Sequence, residues 1–173
     1  MAKREIERTV QPSVLDRLTD DDPRSSADPR ISYLESLRQF KVAVQRDLEW
    51  LLNTRRNPTP APEEMTELSR SVYNYGVPDI TSLSSDSPAA RAQLLRDVES
   101  TFAMFEPRLE NVQISMVEQD GEARRRELRF VVEATLRLDP TPEQVVFDTV
   151  LHFSSGQIEV NNASVGPAGS AHA

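Results

Sequence analysis

The hydrophobic period of this chain changes once, and the change falls at Pro107. Before it, apolar residues recur every three or four positions; after it, they alternate. The first period belongs to helices with one buried stripe and the second to strands with one buried face. Helices first and sheet second predict an α+β fold, in which the helices must cover the apolar face of an antiparallel sheet.

The clearest helical pattern runs from Ile31 to Arg56. At 100° per residue, Leu34, Leu37, Phe40, Val44, Leu48, Leu51 and Leu52 fall within an arc of roughly 120°. Arg55 and Arg56 stand at its C-terminal end, where cations complement unpaired carbonyls, and Pro58 limits continuation. Trp50 projects from the other side, either covered by another element of the domain or offered to a second protein. A second helix opens with Ser87 as N-cap and Pro88 at the first helical position. Its apolar face is Leu94, Leu95, Val98, Phe102 and Phe105, and Pro107 stops it. Between the helices, residues 57–87 read as irregular, with a brief helical stretch from Glu63 to Tyr73 and a turn at Asn74–Pro78. Near the N-terminus, Pro12 and Ser13 open a single turn bearing Val14, Leu15 and Leu18.

After Pro107, Val112, Ile114 and Met116 alternate with polar residues, and Asp120-Gly121 signals a hairpin. Leu128, Phe130, Val132, Ala134, Leu136 and Leu138 form a second alternating set. Val145, Phe147, Thr149, Leu151 and Phe153 form a third, and Ser154–Gly156 turns into a last strand, Gln157–Val160. The expected architecture is two main helices packed on one face of a small antiparallel β-meander, with a short N-terminal helix. Residues 1–11 are expected as a disordered arm, 12–160 as one domain and 161–173 as a disordered tail.

Composition excludes several chemistries. A net charge of −8 over 173 residues argues against nucleic-acid binding, which needs surplus Lys and Arg to displace counterions. No Cys removes disulfides, thiolate metal sites and Cys nucleophiles. No apolar run approaches the ~20 residues of a membrane span, and Met1–Val10 lacks the apolar segment of a signal peptide. Of the two His residues, His172 lies in the tail and His152 has no nucleophile-elbow Ser to serve. Asp20-Asp21-Asp22 lacks the alternation of a calcium loop, and five Gly in the whole chain form no phosphate-binding frame. No cofactor or metal is therefore expected. Arg124–Arg126 reads as a solvated run that guards an edge. Glu133 and Asp148 alternate with core positions and face solvent or a partner. A glycosidase would need two carboxyls across a sugar-sized cleft, and Glu106 before Pro107 and Glu133 or Asp148 on the sheet are the only candidates with fixed geometry.

Phe105-Glu106-Pro107-Arg108-Leu109 is the motif that stands out, at the junction of helix and sheet. Pro107 stiffens the exit, so Glu106 and Arg108 are held in definite directions. Two readings stay open: an intramolecular salt bridge closing the corner, or a preset ionic contact with another subunit.

Four segments resemble one family. Arg46-Asp-Leu-Glu-Trp-Leu-Leu-Asn-Thr-Arg-Arg56 is similar to the hallmark helix end of TssE, the baseplate subunit of bacterial type VI secretion systems. Pro12–Asp20 resembles that family's N-terminal segment, and Ser71–Asp79 its central turn. Glu106-Pro107-Arg108 matches the Glu-Pro-Arg motif shared with the wedge, or sheath-initiator, protein of contractile phage tails. Order and spacing agree from about Val10 to Val160. The resemblance implies structural work without turnover, in a cytoplasmic baseplate docked at the inner membrane complex. It implies TssF, TssG and TssK as baseplate partners, and TssB and TssC as the sheath that adds to the sheet by β-augmentation. It implies Glu106, Pro107 and Arg108 as partner-binding residues, adds weight to Trp50, Arg55 and Arg56, and implies neither nucleic acid nor direct membrane contact. The alternative is a peptidoglycan hydrolase using Glu106.

Overall fold

The computed structural model describes residues 9–19, 23–24, 31–80, 87–119, 121, 126–139 and 141–162. Among these are four α-helices, α1 (Val14–Leu18), α2 (Tyr33–Asn53), α3 (Thr66–Ser69) and α4 (Pro88–Phe105). They are joined by four strands, β1 (Leu109–Met116), β2 (Glu127–Leu136), β3 (Glu143–His152) and β4 (Ile158–Asn162). The strands form one antiparallel sheet in the order β1-β2-β3-β4, a plain meander. The expected α+β class, with helices leading and sheet following, is what the chain adopts. The chain divides into two compact units, Met1–Asp47 and Leu48–Ala173, with the boundary inside α2.

In the first unit, Ser13 lies outside α1 as its N-cap, not inside the first turn: its hydroxyl accepts the Asp16 N–H at 3.2 Å. The Asp16 carboxylate accepts from the Ser13 hydroxyl at 2.6 Å and from Arg46 at 2.7 Å. Burial alone would raise this carboxyl, but the hydrogen bonds from Ser13 and Arg46 outweigh it and hold the group below its ordinary value. None of α1's apolar residues is buried. The α2 stripe is Phe40 and Val44 as expected, together with Ser36 and Ala43, whereas Leu34 is 74% exposed. At that end the buried side is taken by Ser36, whose hydroxyl accepts the Val10 N–H at 3.0 Å.

In the second unit, α2 contributes buried Leu48, Leu51 and Leu52, and α4 contributes Leu94, Val98 and Phe102. Ser87 caps α4 as read from the sequence, accepting the Ala90 N–H at 3.3 Å. The sheet supplies Leu128, Phe130, Val132, Ala134 and Leu136 from β2 and Val145, Phe147, Thr149 and Leu151 from β3. Each fully buried Leu or Phe contributes about 1.5–3 kcal/mol, so this alternation makes the sheet's inner face the unit's main source of stability. Leu138 and Phe153 fall just past the ends of their strands and are half-buried.

Two local expectations change. The stretch from Glu63 to Tyr73 is not one helix but α3 followed by a 3-10 turn, Val72–Asn74, with Ser71 capping the turn. Arg55 and Arg56 lie beyond the end of α2, because Arg55 enters a parallel bridge with Val77. The hairpin expected at Asp120-Gly121 lies outside the described residues, apart from Gly121 itself; the β1–β2 pairing runs as far as Met116 with Phe130. Asp120, Arg124, Arg125 and the tail from Ala163 lie outside the described residues. β1 also carries a bulge between Glu110 and Gln113, where Asn111 takes φ +52°, a left-handed conformation that Asn tolerates.

Candidate functional site

The Glu-Pro-Arg corner is built by the end of α4. Phe105 closes the helix, and the Glu106 N–H caps it by donating to the Phe102 carbonyl at 2.9 Å. Pro107 cannot continue the helix, and the Leu109 N–H returns to the Glu106 carbonyl at 3.1 Å, turning the chain into β1. This turn brings the two flanking charges onto one another. Arg108 Nε donates to one Glu106 carboxylate oxygen and a terminal amino group to the other, each at 2.5 Å. The Arg108 backbone N–H adds a long contact of 3.4 Å. The fork is bidentate, the strongest geometry available to this pair. Glu106 is 5% exposed, while the Arg108 side chain remains 23% exposed. The Arg108 carbonyl accepts the Arg137 N–H at 2.8 Å, tying the corner to the end of β2. Beside it, the Tyr75 ring meets Phe105 edge-on, 5.4 Å between centroids.

Of the two readings open for this motif, the intramolecular salt bridge is present. Glu106 commits both oxygens to it, while the Arg108 side chain as a whole stays partly exposed. The pair closes the helix–strand corner as a joint between α4 and β1.

The second group of expected residues lies at the end of α2. Trp50 is 52% exposed, and its carbonyl accepts the Thr54 hydroxyl at 2.7 Å. Arg55 turns inward on the backbone: its terminal amino groups donate to Gly156 at 2.5 Å and Leu52 at 3.3 Å. Arg56 is fixed by its main chain, the N–H donating to Val77 at 2.9 Å while the Val77 N–H returns to Thr54 at 2.9 Å. Gly76 makes that bridge possible. It sits at φ +103°, and a Cβ there would lie 2.2 Å from the Thr54 carbonyl oxygen.

Arg55 and Arg56 come together on the wall of an open groove of about 790 Å3, shared with Asn53, Asn57, Pro58, Pro78, Asp79 and the β3–β4 turn at 155–157. Neither Trp50 nor the 106–108 corner lines it. Asn53 was not singled out by its sequence position, yet its amide grips the edge of β4. It donates to the Ile158 carbonyl at 2.7 Å and accepts the Ile158 N–H at 2.9 Å. These partners are 105 residues apart, and only the Asn at a helix end, a residue apt to bond backbone, hinted at it.

On the outer sheet face, Glu133 and Asp148 are exposed, as their alternation predicted. His152 stands between two carboxylates, 3.5 Å from Glu159 and 4.0 Å from Glu127. Among the described residues, no group of three or more His, Asp or Glu is placed to hold a metal ion. No helix among them is long and apolar enough to cross a membrane.

A family model described as baseplate wedge protein gp25 matches residues 38–141, a span that contains Trp50, Arg55, Arg56 and the Glu106–Arg108 corner. A chain in a solved structure titled "The baseplate complex from the type VI secretion system" is 22% identical. The match covers 63% of this chain and 94% of that one, with a TM-score of 0.41. No curated protein matches the chain.

Proposed function

The chain belongs to the baseplate wedge protein gp25 family, and from that premise we propose that it is the TssE-type wedge subunit of a type VI secretion baseplate. Its family makes it a structural component of a baseplate. In this reading residues 12–160 act as one wedge domain beside TssF, TssG and TssK, in a cytoplasmic baseplate docked at the inner membrane complex. The first ring of TssB–TssC sheath then starts from it by strand addition and ionic contacts.

The observation that carries the strand-addition part is the difference between the two sheet edges. On β4, Ile158 already has both backbone groups taken by Asn53. On β1, Val117 donates to Arg129 and the ladder alternates from there, so Ser115 and Gln113 bond inward to β2. The N–H and C=O groups of Ile114 and Met116 point outward, away from β2, and a second chain can pair with them. The joint at Glu106-Pro107-Arg108 sets the direction in which this edge leaves α4. Arg108, Trp50 and Arg56 are the proposed partner contacts, with Glu106 and Pro107 holding Arg108 and Arg55 tying the neighbouring Arg56 to the Gly156 turn. The full engagement of Glu106 by Arg108 supports this structural role over peptidoglycan hydrolysis.

The test is Ile114→Pro. An outward-facing N–H on an edge strand is a position where Pro leaves the sheet intact. The variant should fold with an unchanged circular dichroism spectrum, still co-purify with the baseplate subunits, and fail to support sheath polymerisation. Normal sheath assembly by a folded Ile114→Pro protein would refute strand addition at β1.

A further inference from the structure

Arg55 and Arg56 are neighbours in sequence, but the fold uses them differently. The Arg55 guanidinium is occupied by the carbonyls of Gly156 and Leu52. Arg56 is half-buried, its Nε is buried and meets no hydrogen-bond acceptor, and its side chain forms no ion pair among the described residues. Taking part of a guanidinium out of water without an acceptor is unfavourable. The bridge of Arg56 to Val77 nevertheless holds it on the groove wall.

The wall narrows the ligand. Arg55, Arg56, Asn57 and Gln157 line the groove against a single acid, Asp79. Asn57 has its carbonyl oxygen committed to the Thr59 N–H at 3.0 Å, which leaves its amide hydrogens as donors. Pro58 and Pro78 carry no N–H, so the groove is unsuited to taking a strand and selects a side chain instead. With Nε buried, the side-on fork of Arg56 is closed. The end-on fork of its two terminal amino groups remains, and its spacing suits the two oxygens of one carboxylate. We infer that the Arg56 groove takes an Asp or Glu side chain presented by an acidic segment of a neighbouring subunit. This rests on the assembly reading above and adds to it the chemistry of one contact, separate from the β1 edge.

The probe is an N-acetylated, C-amidated tetraglutamate peptide titrated into the 15N-labelled full-length chain and followed by backbone amide shifts. Shifts should centre on Arg56, Asn57, Gly156 and Gln157 and weaken as salt is raised. Arg56→Gln should bind about tenfold more weakly or worse, with an unchanged unfolding midpoint. Tetraglutamine and inorganic phosphate at equal concentrations should leave the spectrum unmoved. Equal peptide binding by Arg56→Gln, or phosphate binding as tight as the peptide, overturns the inference. Capture of baseplate and sheath proteins by the wild-type chain separates the two ideas. If capture succeeds while the peptide arm fails, the assembly reading stands and this inference falls. If the wild-type chain captures nothing, the assembly reading falls, and the peptide arm still decides the chemistry of the groove.

Discussion

Replacing Arg108 by Ala should destabilise the fold before it disturbs any partner. The side chain of Glu106 is 6% exposed, and apart from Arg108's fork its carboxylate has the 3.4 Å backbone N–H of the same residue. Removing one partner of a buried ion pair strands the other charge and costs about 3–5 kcal/mol. Water reaches this pair through the 23% exposed Arg108 side, which moves the expectation to the lower end, about 3 kcal/mol. Glu106→Gln leaves a neutral acceptor beside a guanidinium that can still find water, at about 1–2 kcal/mol. The double variant should cost less than the two singles together, by about 1 kcal/mol or more, because the stranded carboxylate is gone. Urea unfolding followed by far-ultraviolet circular dichroism measures all three, with an unchanged slope on denaturant as the sign that only stability moved. Additivity within about 0.5 kcal/mol would refute the reasoning, since independent sites add to that extent. Arg108→Lys separates charge from geometry: it keeps the cation but loses the fork.

Three further outcomes follow from the same structure. Gly76→Ala combines a left-handed φ with a Cβ 2.2 Å from the Thr54 oxygen, so it should cost about 2–4 kcal/mol by strain and loss of the Arg56–Val77 bridge; calorimetry reads the drop. Asn53→Ala leaves the Ile158 N–H and C=O without the amide that holds them, costing about 1–3 kcal/mol, and hydrogen exchange at Ile158 should accelerate while Leu151, paired with Leu128 of β2, stays protected. The Asp16 carboxyl is held below its usual 3.8 by Ser13 and Arg46, so these ties add stability above that value and lose it as pH falls through the depressed one. Exchange of the Leu18 and Thr19 amides should therefore rise only in the acid range below about 4, and Arg46→Ala should weaken that dependence, leaving the part that Ser13 supplies.

The sequence was most informative where a period or a cap speaks locally. The alternation of β2 and β3 gave their inner faces residue by residue, because a strand with one buried side admits no other register. Ser87-Pro88 and Pro107 marked the ends of α4 for the same kind of reason, each acting on its own backbone. The period failed at Leu34, where a hydroxyl of Ser36 meets the backbone of Val10 on the side that apolarity alone would have assigned to Leu34.

The site divides along the same line. Glu106, Pro107 and Arg108 stood out as a motif, since a proline between opposite charges limits where they can point. That these charges satisfy each other required the tertiary turn into β1, which alone fixes a two-residue separation as a bidentate pair. The Arg55–Arg56 dipeptide was visible as a basic helix end. Its division into one arginine held by Gly156 and one on an open groove depends on residues about a hundred positions away, beyond any local pattern. Sequence by itself determined the order of elements, the buried faces and the joint, because those follow from neighbours along the chain. Only the folded chain decided which charges satisfy one another and how Asn53 holds the β4 edge, because those depend on the tertiary turn and on residues far apart in sequence.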